Sequence, residues 1–203
     1  MGNRAFWYLA DWYLALPAAP PPTAAVQEAH TVEDASHVLA QVNIGRLVAP
    51  LDSPQLADFV AWLEPVNAVA DAAPGFVWRL QTEDGNATSV RAFEWDEAGS
   101  AGVIVNMSVW ETPEALASFV YSDTHRQVLA QRRQWFERMT EAYTALWWIP
   151  RGSVPTPADA EDRVRRLRAN GPTADAFTLR VLFPAPGGAG TPRAGREDWA
   201  CPV

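Results

Sequence analysis

Alternation of apolar and polar residues along this chain predicts a series of short β-strands. The clearest case is VIVNMSVW at residues 103–110, where apolar side chains recur at every second position. A similar pattern predicts a strand over residues 38–47. An Asp-Gly pair within 83–86 favours a hairpin turn. The other predicted strands are 76–80, 89–95, 145–149 and 177–183.

Apolar residues at helical spacing, each run preceded by a capping residue, predict the helices between these strands. At three starts the cap is followed directly by proline, which suits the first helical position because its missing N–H has no helical partner there; the caps are Ser53, Thr112 and Thr156. Pro65 predicts a kink in the first helix. The pair Ser122-Asp123 predicts a break in the second helix and a new cap, with a continuation through Arg138.

The resulting order of strands and helices predicts an α+β fold. It is typical of a ferredoxin-like antiparallel sheet with helices on one face. Such a sheet leaves its second face, with Phe93, Ile104 and Trp110, without cover. An exposed apolar sheet face needs a partner, and we expect a second copy of the chain, so that a homodimer forms a dimeric α/β barrel.

Composition changes towards both ends of the chain. Residues 5–16 are apolar but too few to span a bilayer, and consecutive prolines follow them. We predict an N-terminal amphipathic segment and linker over 1–37, a barrel domain over 38–183 and a disordered tail over 184–203. The N-terminal segment could dock on the domain, on a partner or on a membrane surface, could lack order, or could be a cleaved signal. We expect a cytoplasmic protein.

Charge and rare residues exclude several classes of function. The net charge is −8 and every basic residue is arginine, so nucleic-acid binding and lysine chemistry are not expected. A single cysteine near the end and three scattered histidines favour neither a disulfide framework nor a metal site. Ten tryptophans indicate a large aromatic interior or pocket.

Strand alternation places a small set of polar residues on the predicted barrel interior. We expect Asn43, Asn106, Arg79 and Arg91 there as candidate catalytic groups, although the alternation leaves open whether Trp78 or Arg79 faces the pocket. Asn43 and Asn106 could instead hydrogen-bond each other across neighbouring strands. The candidate substrate-binding residues are Trp78, Phe93, Ser108, Trp110, Tyr121, Trp147 and Trp148.

His125 is the candidate for proton transfer. It follows the break in the second helix by three residues and shares a helical face with Tyr121 and Leu129. A histidine beside a pocket can act as a general base or as an axial ligand to haem iron. It can equally bond to the backbone near a helix start, and the sequence leaves these alternatives open.

Several separated blocks resemble one bacterial family, the domain of unknown function 3291, over about residues 39–183. They begin with LAQVNIGRLVAPLDSPQLADF and continue with VNMSVWE, FVYSDTHRQVLAQRRQWF, LWWIPRG and GPTADAFTLR. The resemblance implies a place near the dimeric α/β barrels, a superfamily that includes cofactor-free monooxygenases, isomerases and haem-handling proteins. It implies a fold and a pocket, and no particular reaction.

Two classes of function follow from the fold and the candidate residues. The first is a small cofactor-independent monooxygenase, isomerase or cyclase acting on a hydrophobic molecule, as in antibiotic or other natural-product biosynthesis. Its polar pocket residues would stabilise an oxyanion, and His125 would move a proton. The second is a non-catalytic protein that binds such a molecule or haem, or acts in a stress response.

Overall fold

A computed structural model describes residues 36–97 and 99–195. Four strands form one sheet in the order β2-β3-β1-β4, and every pair within it is antiparallel. They are β1 (His37–Arg46), β2 (Phe76–Arg79), β3 (Val103–Trp110) and β4 (Thr144–Pro150). This strand order confirms the predicted ferredoxin-like α+β fold.

Three of the four helices begin where their capping residues predict; after Ser53 the chain instead forms a 3₁₀ turn at Pro54–Leu56, without a hydrogen bond from the Ser53 side chain, and the α-helix begins at Ala57. The four helices are α1 (Ala57–Asp71), α2 (Pro113–Val120), α3 (Asp123–Gln131) and α4 (Pro157–Asn170). The Thr112 hydroxyl accepts a hydrogen bond from the Ala115 N–H at 3.1 Å, and Thr156 forms a capping box with Asp159. One helix is shorter than expected, since α3 ends at Gln131 and a short 3₁₀ turn follows it.

The predicted strand at 89–95 is wrong. Its residues form a loop and a 3₁₀ turn, and Phe93 has a left-handed φ of 62°. The reason is a contact from far along the chain: Glu161 of α4 accepts hydrogen bonds from the Phe93 N–H at 2.7 Å and from Trp95 Nε1 at 2.9 Å. The hairpin expected at 83–86 is therefore a turn that leads into this loop.

The C-terminal region also differs from the expectation. Within 177–183 only β5 (Val181–Leu182) is a strand, because residues 178–181 form a turn and Phe177 makes an isolated bridge to Leu146. Its partner is β6 (Arg193–Ala194), so pairing extends beyond the predicted boundary at 183. Residues 1–35 and 196–203 lie outside the described residues, and the predictions for them stay predictions.

One face of the sheet is apolar apart from Arg46 at the end of β1, and it is covered by α4 together with the loop before β3. We call it the sealed face. Ala160, Val164 and Leu167 of α4 and Ala92 and Phe93 of the loop pack on it. Its own residues are Val38, Ala40, Val42, Ile44, Val105, Met107, Val109, Ala145, Trp147 and Ile149.

The opposite face lies under α1, α2 and α3, and we call it the cleft face. Leu116 and Ala117 of α2 pack with Leu39 and Trp110 at one end of it. Phe59 of α1 and Val128 of α3 pack with Ile104 at the other end.

This arrangement corrects two expectations. Helices cover both faces, because α4 packs on the sealed face while α1, α2 and α3 lie over the face of Ile104 and Trp110 that was expected to be open. Phe93 and Trp110 are fully buried within the chain, and Ile104 is half-buried. Within the described residues each face has helices over it, which removes the reason given for a sheet-to-sheet contact; the homodimer itself stays a prediction.

Candidate functional site

A band of polar side chains crosses the middle of the cleft face. The register places Asn43 of β1 between Asn106 of β3 and Thr144 of β4. Two residues away along each strand, Gln41 lies opposite Ser108. Because side chains alternate along each strand, these five residues point to the same side of the sheet.

All but one of these side chains have a partner within the band. Ser108 donates to Gln41 Oε1 at 2.9 Å, and Asn43 Nδ2 donates to Thr144 Oγ1 at 2.8 Å. Asn106 is exposed although it lies in the middle of a central strand, and its amide makes no hydrogen bond with any described residue. Asn43 and Asn106 are neighbours on adjacent strands. They do not hydrogen-bond each other, because the Asn43 amide donates to Thr144 instead.

Two cavities meet over Asn106. The first lobe has a volume of about 240 Å³ and the second about 330 Å³. Small-molecule sites are typically about 300 to 1,000 Å³, so the two lobes together are large enough for a small ligand. Both are lined by the same central residues: Asn43, Asn106, His125, Leu129 and Tyr143.

The first lobe lies between α1, α3 and the sheet. Its α1 wall is an apolar stripe interrupted by one amide, and comprises Phe59, Trp62, Leu63, Val66 and Asn67. Phe136 closes one end beside Gly45, where a methyl group would lie 2.6 Å from the aromatic ring. The absence of a side chain at Gly45 therefore lets this wall approach the strand.

The second lobe lies between α2, α3 and the segment before β5. Leu116, Phe119 and Val120 of α2 form its apolar wall. Thr178, Leu179 and Arg180 form the opposite wall. The two lobes thus offer apolar surface on either side of a polar centre.

His125 lies on α3 at the junction of the two lobes. Its Nδ1 is 2.9 Å from the carbonyl oxygen of Val120, and its ring centroid is 5.0 Å from that of Phe119. A carbonyl oxygen only accepts, so this contact assigns the proton to Nδ1 and leaves the lone pair on Nε2. Burial lowers the pKa of His125, although the hydrogen bond to Val120 acts against it. At neutral pH the ring is therefore uncharged and able to accept a proton.

The two candidate arginines do not behave as predicted. Arg79 lines the first lobe, but its Nε and Nη2 donate to Asp71 at 2.8 and 3.1 Å and its Nη1 donates to the Gly85 carbonyl at 2.8 Å. It holds the chain after β2 rather than offering donors to a ligand. Arg91 is exposed and lines neither lobe, because the strand expected to carry it does not form.

Most of the aromatic candidates belong to the packed core. Tyr121 lines the second lobe, as expected for a pocket residue. Ser108 and Trp110 are buried beside α2, and the Trp110 indole donates to Ser108 Oγ at 2.9 Å. Trp148 donates to the Phe183 carbonyl at 2.9 Å. The others face α4 instead of the cleft: Trp78, Phe93 and Trp147.

Sequence reasoning missed Asn67 and Arg180. Asn67 follows Leu63 by four positions and so occupies the apolar stripe of α1, which is a signal that the sequence does contain. It makes no hydrogen bond with a described side chain and is half-buried in the first lobe. Arg180 reaches the second lobe only through the fold of the C-terminal segment, and no local pattern indicates this.

In residues 36–97 and 99–195 no group of three or more His, Cys, Asp or Glu side chains is arranged to hold a metal ion. Within the same ranges no helix combines the length and the apolar character needed to cross a bilayer.

Comparison with known proteins gives a family and distant structural likenesses. The profile described as domain of unknown function 3291 (DUF3291) matches residues 38–193. No curated protein matches the sequence. Rv0793 from Mycobacterium tuberculosis is 14% identical, with 59% of this chain and 99% of that one covered and a TM-score of 0.36.

Two other solved structures are similarly distant. NE2512 from Nitrosomonas europaea, a protein of unknown function, is 10% identical over 61% of this chain and 97% of that one, with a TM-score of 0.36. A protein from Chloroflexus aurantiacus described as an antibiotic biosynthesis monooxygenase is 12% identical. The match covers 59% of this chain and 97% of that one, with a TM-score of 0.34. Likenesses of this size support no transfer of activity, and the fold assignment depends on the strand order itself.

Proposed function

This chain belongs to the DUF3291 family over residues 38–193, and we propose that it is a cofactor-independent enzyme that moves a proton on an apolar carbonyl compound bound in the cleft. The reaction class is enolisation, the first step shared by isomerisation, by cyclisation and by cofactor-free oxygenation. Antibiotic or other natural-product biosynthesis is the setting that we propose for it.

The observation that carries this proposal is the state of Asn106. A polar side chain in the middle of a sheet normally finds a protein partner, and an exposed amide without one keeps its N–H groups available to a ligand. Asn106 has no such partner in the described part of the chain and faces the meeting point of two apolar lobes. A ligand oxygen at this position would accept from its amide N–H.

His125 supplies the complementary group. Its Nε2 lone pair would take a proton from the carbon next to the carbonyl, while the Asn106 N–H stabilises the negative charge that develops on the carbonyl oxygen. The proton would then return from Nε2 to a carbon of the enolate, which balances the reaction without a cofactor. The hydrogen bond from Nδ1 to Val120 keeps the ring in the required tautomer.

Two alternatives use the same cleft. A protein that only binds its ligand would need Asn106 but would not need the basic nitrogen of His125. Haem binding would use His125 Nε2 as the iron ligand. Both are outcomes of the experiment below.

Deuterium uptake tests the proposal directly. We expect the protein to accelerate the exchange of the α-protons of 2-tetralone in D₂O, followed by proton NMR. His125→Gln should return the rate to that of buffer, and Asn106→Leu should lower it by about a hundredfold, as for the loss of one oxyanion donor.

The matched control is His37→Gln, since His37 lies at the start of β1 and lines neither lobe. It should keep the full rate. Binding of 2-tetralone without exchange would favour the binding protein, and a Soret band on titration with haemin that His125→Gln abolishes would favour haem. Exchange that survives in His125→Gln would contradict the assigned base.

A further inference from the structure

We infer that the natural ligand of the cleft carries an anionic group, a carboxylate or a phosphate, in addition to its apolar body and its reacting carbonyl. We infer that Arg180 binds this anionic group in the second lobe. The inference rests on the proposed function, because it names the class of molecule that the same site would take. It comes from the distribution of charge over the cleft walls.

The cleft walls have the opposite charge balance to the whole chain. The chain has 16 basic and 24 acidic residues. The described residues that line the two lobes include a single carboxylate, Glu137, and five arginines, which are Arg79, Arg132, Arg133, Arg138 and Arg180. An acidic protein that gathers arginines around one apolar cleft provides electrostatic attraction for an anion there.

The arginines of the first lobe are poorer candidates than Arg180. Arg79 is held by Asp71 and Gly85, and Arg132 donates to the Leu129 carbonyl at 3.2 Å. Arg133 already has an interaction within the described chain, and Arg138 shares the lobe with the neighbouring Glu137, whose negative charge would oppose an anion. The first lobe therefore suits the apolar part of a ligand.

The second lobe has one charged side chain among its described lining residues, and it is Arg180. Arg180 is exposed at the edge of the lobe, and none of the ion pairs among the described residues includes its guanidinium. Its backbone is anchored, since the Arg180 carbonyl accepts from the Gly195 N–H at 2.8 Å and Val181 N–H donates to the Thr178 carbonyl at 3.1 Å. A guanidinium on an anchored turn can donate two parallel hydrogen bonds to a carboxylate or phosphate.

The ligand that fits has its apolar body in the first lobe against Trp62 and Leu63, its reacting oxygen at Asn106 and its anionic group at Arg180 in the second lobe. A free carboxylate and a phosphate ester share this chemistry. Matched probes separate the two, because they keep one apolar chain and change only the end group.

The experiment measures the affinity of the full chain for decanoate, decyl phosphate and decan-1-ol by displacement of a neutral fluorescent dye. At low salt and pH 7.5 we expect at least one anion to bind about fivefold or more tightly than the alcohol, a factor equal to about 1 kcal/mol. Raising the salt concentration should remove much of this preference and leave alcohol binding unchanged. The preferred anion identifies carboxylate or phosphate.

Arg180→Gln should bring the anion and alcohol affinities within about twofold of each other, whereas Arg180→Lys should keep part of the preference. The matched control is Arg91→Gln, an exposed arginine outside both lobes, and it should change neither affinity.

Each contrary result has a separate meaning. Equal binding of anions and alcohol by the unaltered chain would overturn the inference of an anionic group and leave the proposed function in place. A larger loss in Arg138→Gln than in Arg180→Gln would overturn the assignment to the second lobe. Failure of all three probes to bind, together with no exchange of 2-tetralone, would overturn the proposed function and the inference with it.

Discussion

On the sealed face the sheet residues that contact α4 or the adjoining loop are apolar, with the exception of Arg46 at the end of β1, which pairs with Asp96. The cleft face, in contrast, has polar side chains across its centre. Both faces belong to the same strands, so the difference arises from alternate positions. Val42 and Ile44 are at most 2% exposed under α4, while Asn43 between them is only half-buried. Asn106, opposite it, is exposed.

The difference indicates a division of labour between the two faces. Close-packed apolar contacts on the sealed face provide the stability of the fold. The cleft face is less fully packed, and its Asn106 amide contributes no hydrogen bond to the described structure. Substitutions on the sealed face should therefore change stability, and substitutions in the polar band should change ligand binding.

The largest effect is expected from a charge placed under α4. Val164 is fully buried against the sealed face, so Val164→Asp would bury a carboxylate without a partner and should cost more than about 4 kcal/mol. We expect no cooperative thermal transition by circular dichroism. Val60→Asp, at an exposed position of α1, is the matched control and should shift stability by no more than about 0.5 kcal/mol. Equal tolerance of both changes would show that α4 does not seal this face.

A smaller loss of stability is expected when the ion pairs between the loop residue Asp96 and its two arginine partners are removed. Asp96 is 4% exposed and accepts hydrogen bonds at 2.7 Å from both Arg46 and Arg168. Asp96→Ala leaves two partly buried guanidinium groups without this carboxylate and should cost about 3 kcal/mol in urea unfolding. Asp162→Ala removes an exposed pair with Arg166 and should cost less than about 0.5 kcal/mol. Comparable losses in the two variants would contradict the burial assigned to Asp96.

The Asp96 carboxylate should also make the stability of the protein depend on pH in the acidic range. Burial acts to raise the pKa of Asp96, but the hydrogen bonds from Arg168 and Arg46 outweigh it and hold that pKa below its usual value. The stabilisation is complete above the unfolded pKa of about 3.9 and is lost as pH falls through the lower folded value. Unfolding free energy of the unaltered chain should fall more steeply below pH 4 than that of Asp96→Asn. Parallel curves would exclude this role.

On the cleft face, a change of pH should alter the rate of 2-tetralone exchange and leave the folded structure unchanged. Because burial lowers the pKa of His125, the exchange rate should rise with pH through a midpoint below the ordinary value of about 6.5 and then level off before neutrality. The far-ultraviolet circular dichroism should stay constant over that range. A midpoint above 7 would contradict the buried, neutral imidazole.

The sequence contains most of the strand and helix positions, because these depend on local chemistry. Alternation locates β1 and β3, and the cap-proline pairs at Thr112 and Thr156 locate α2 and α4. The segment around Phe93 is different. Its alternating pattern suits a strand, but Glu161, 68 residues further along, binds the Phe93 N–H and fixes a turn instead.

The candidate site divides in the same way. Asn43, Asn106 and His125 are predicted from the sequence and do line one cleft. Alternation assigns residues to two faces but cannot tell which helices will cover each face, so Trp78 and Trp147 were predicted for the pocket although they face α4. Arg180 depends on the path of the C-terminal segment, which is tertiary information.

The different roles of the two faces are tested most directly by measuring both the unfolding free energy and the exchange rate of Asn106→Leu. Leucine has the same number and branching of side-chain heavy atoms as asparagine and lacks its amide, which makes no hydrogen bond with a described residue. We expect an unfolding free energy within about 0.5 kcal/mol of the unaltered chain, or higher, together with 2-tetralone exchange lowered by about a hundredfold. A loss of more than about 1 kcal/mol with unchanged exchange would contradict these roles, because Asn106 would then serve the fold and not a ligand.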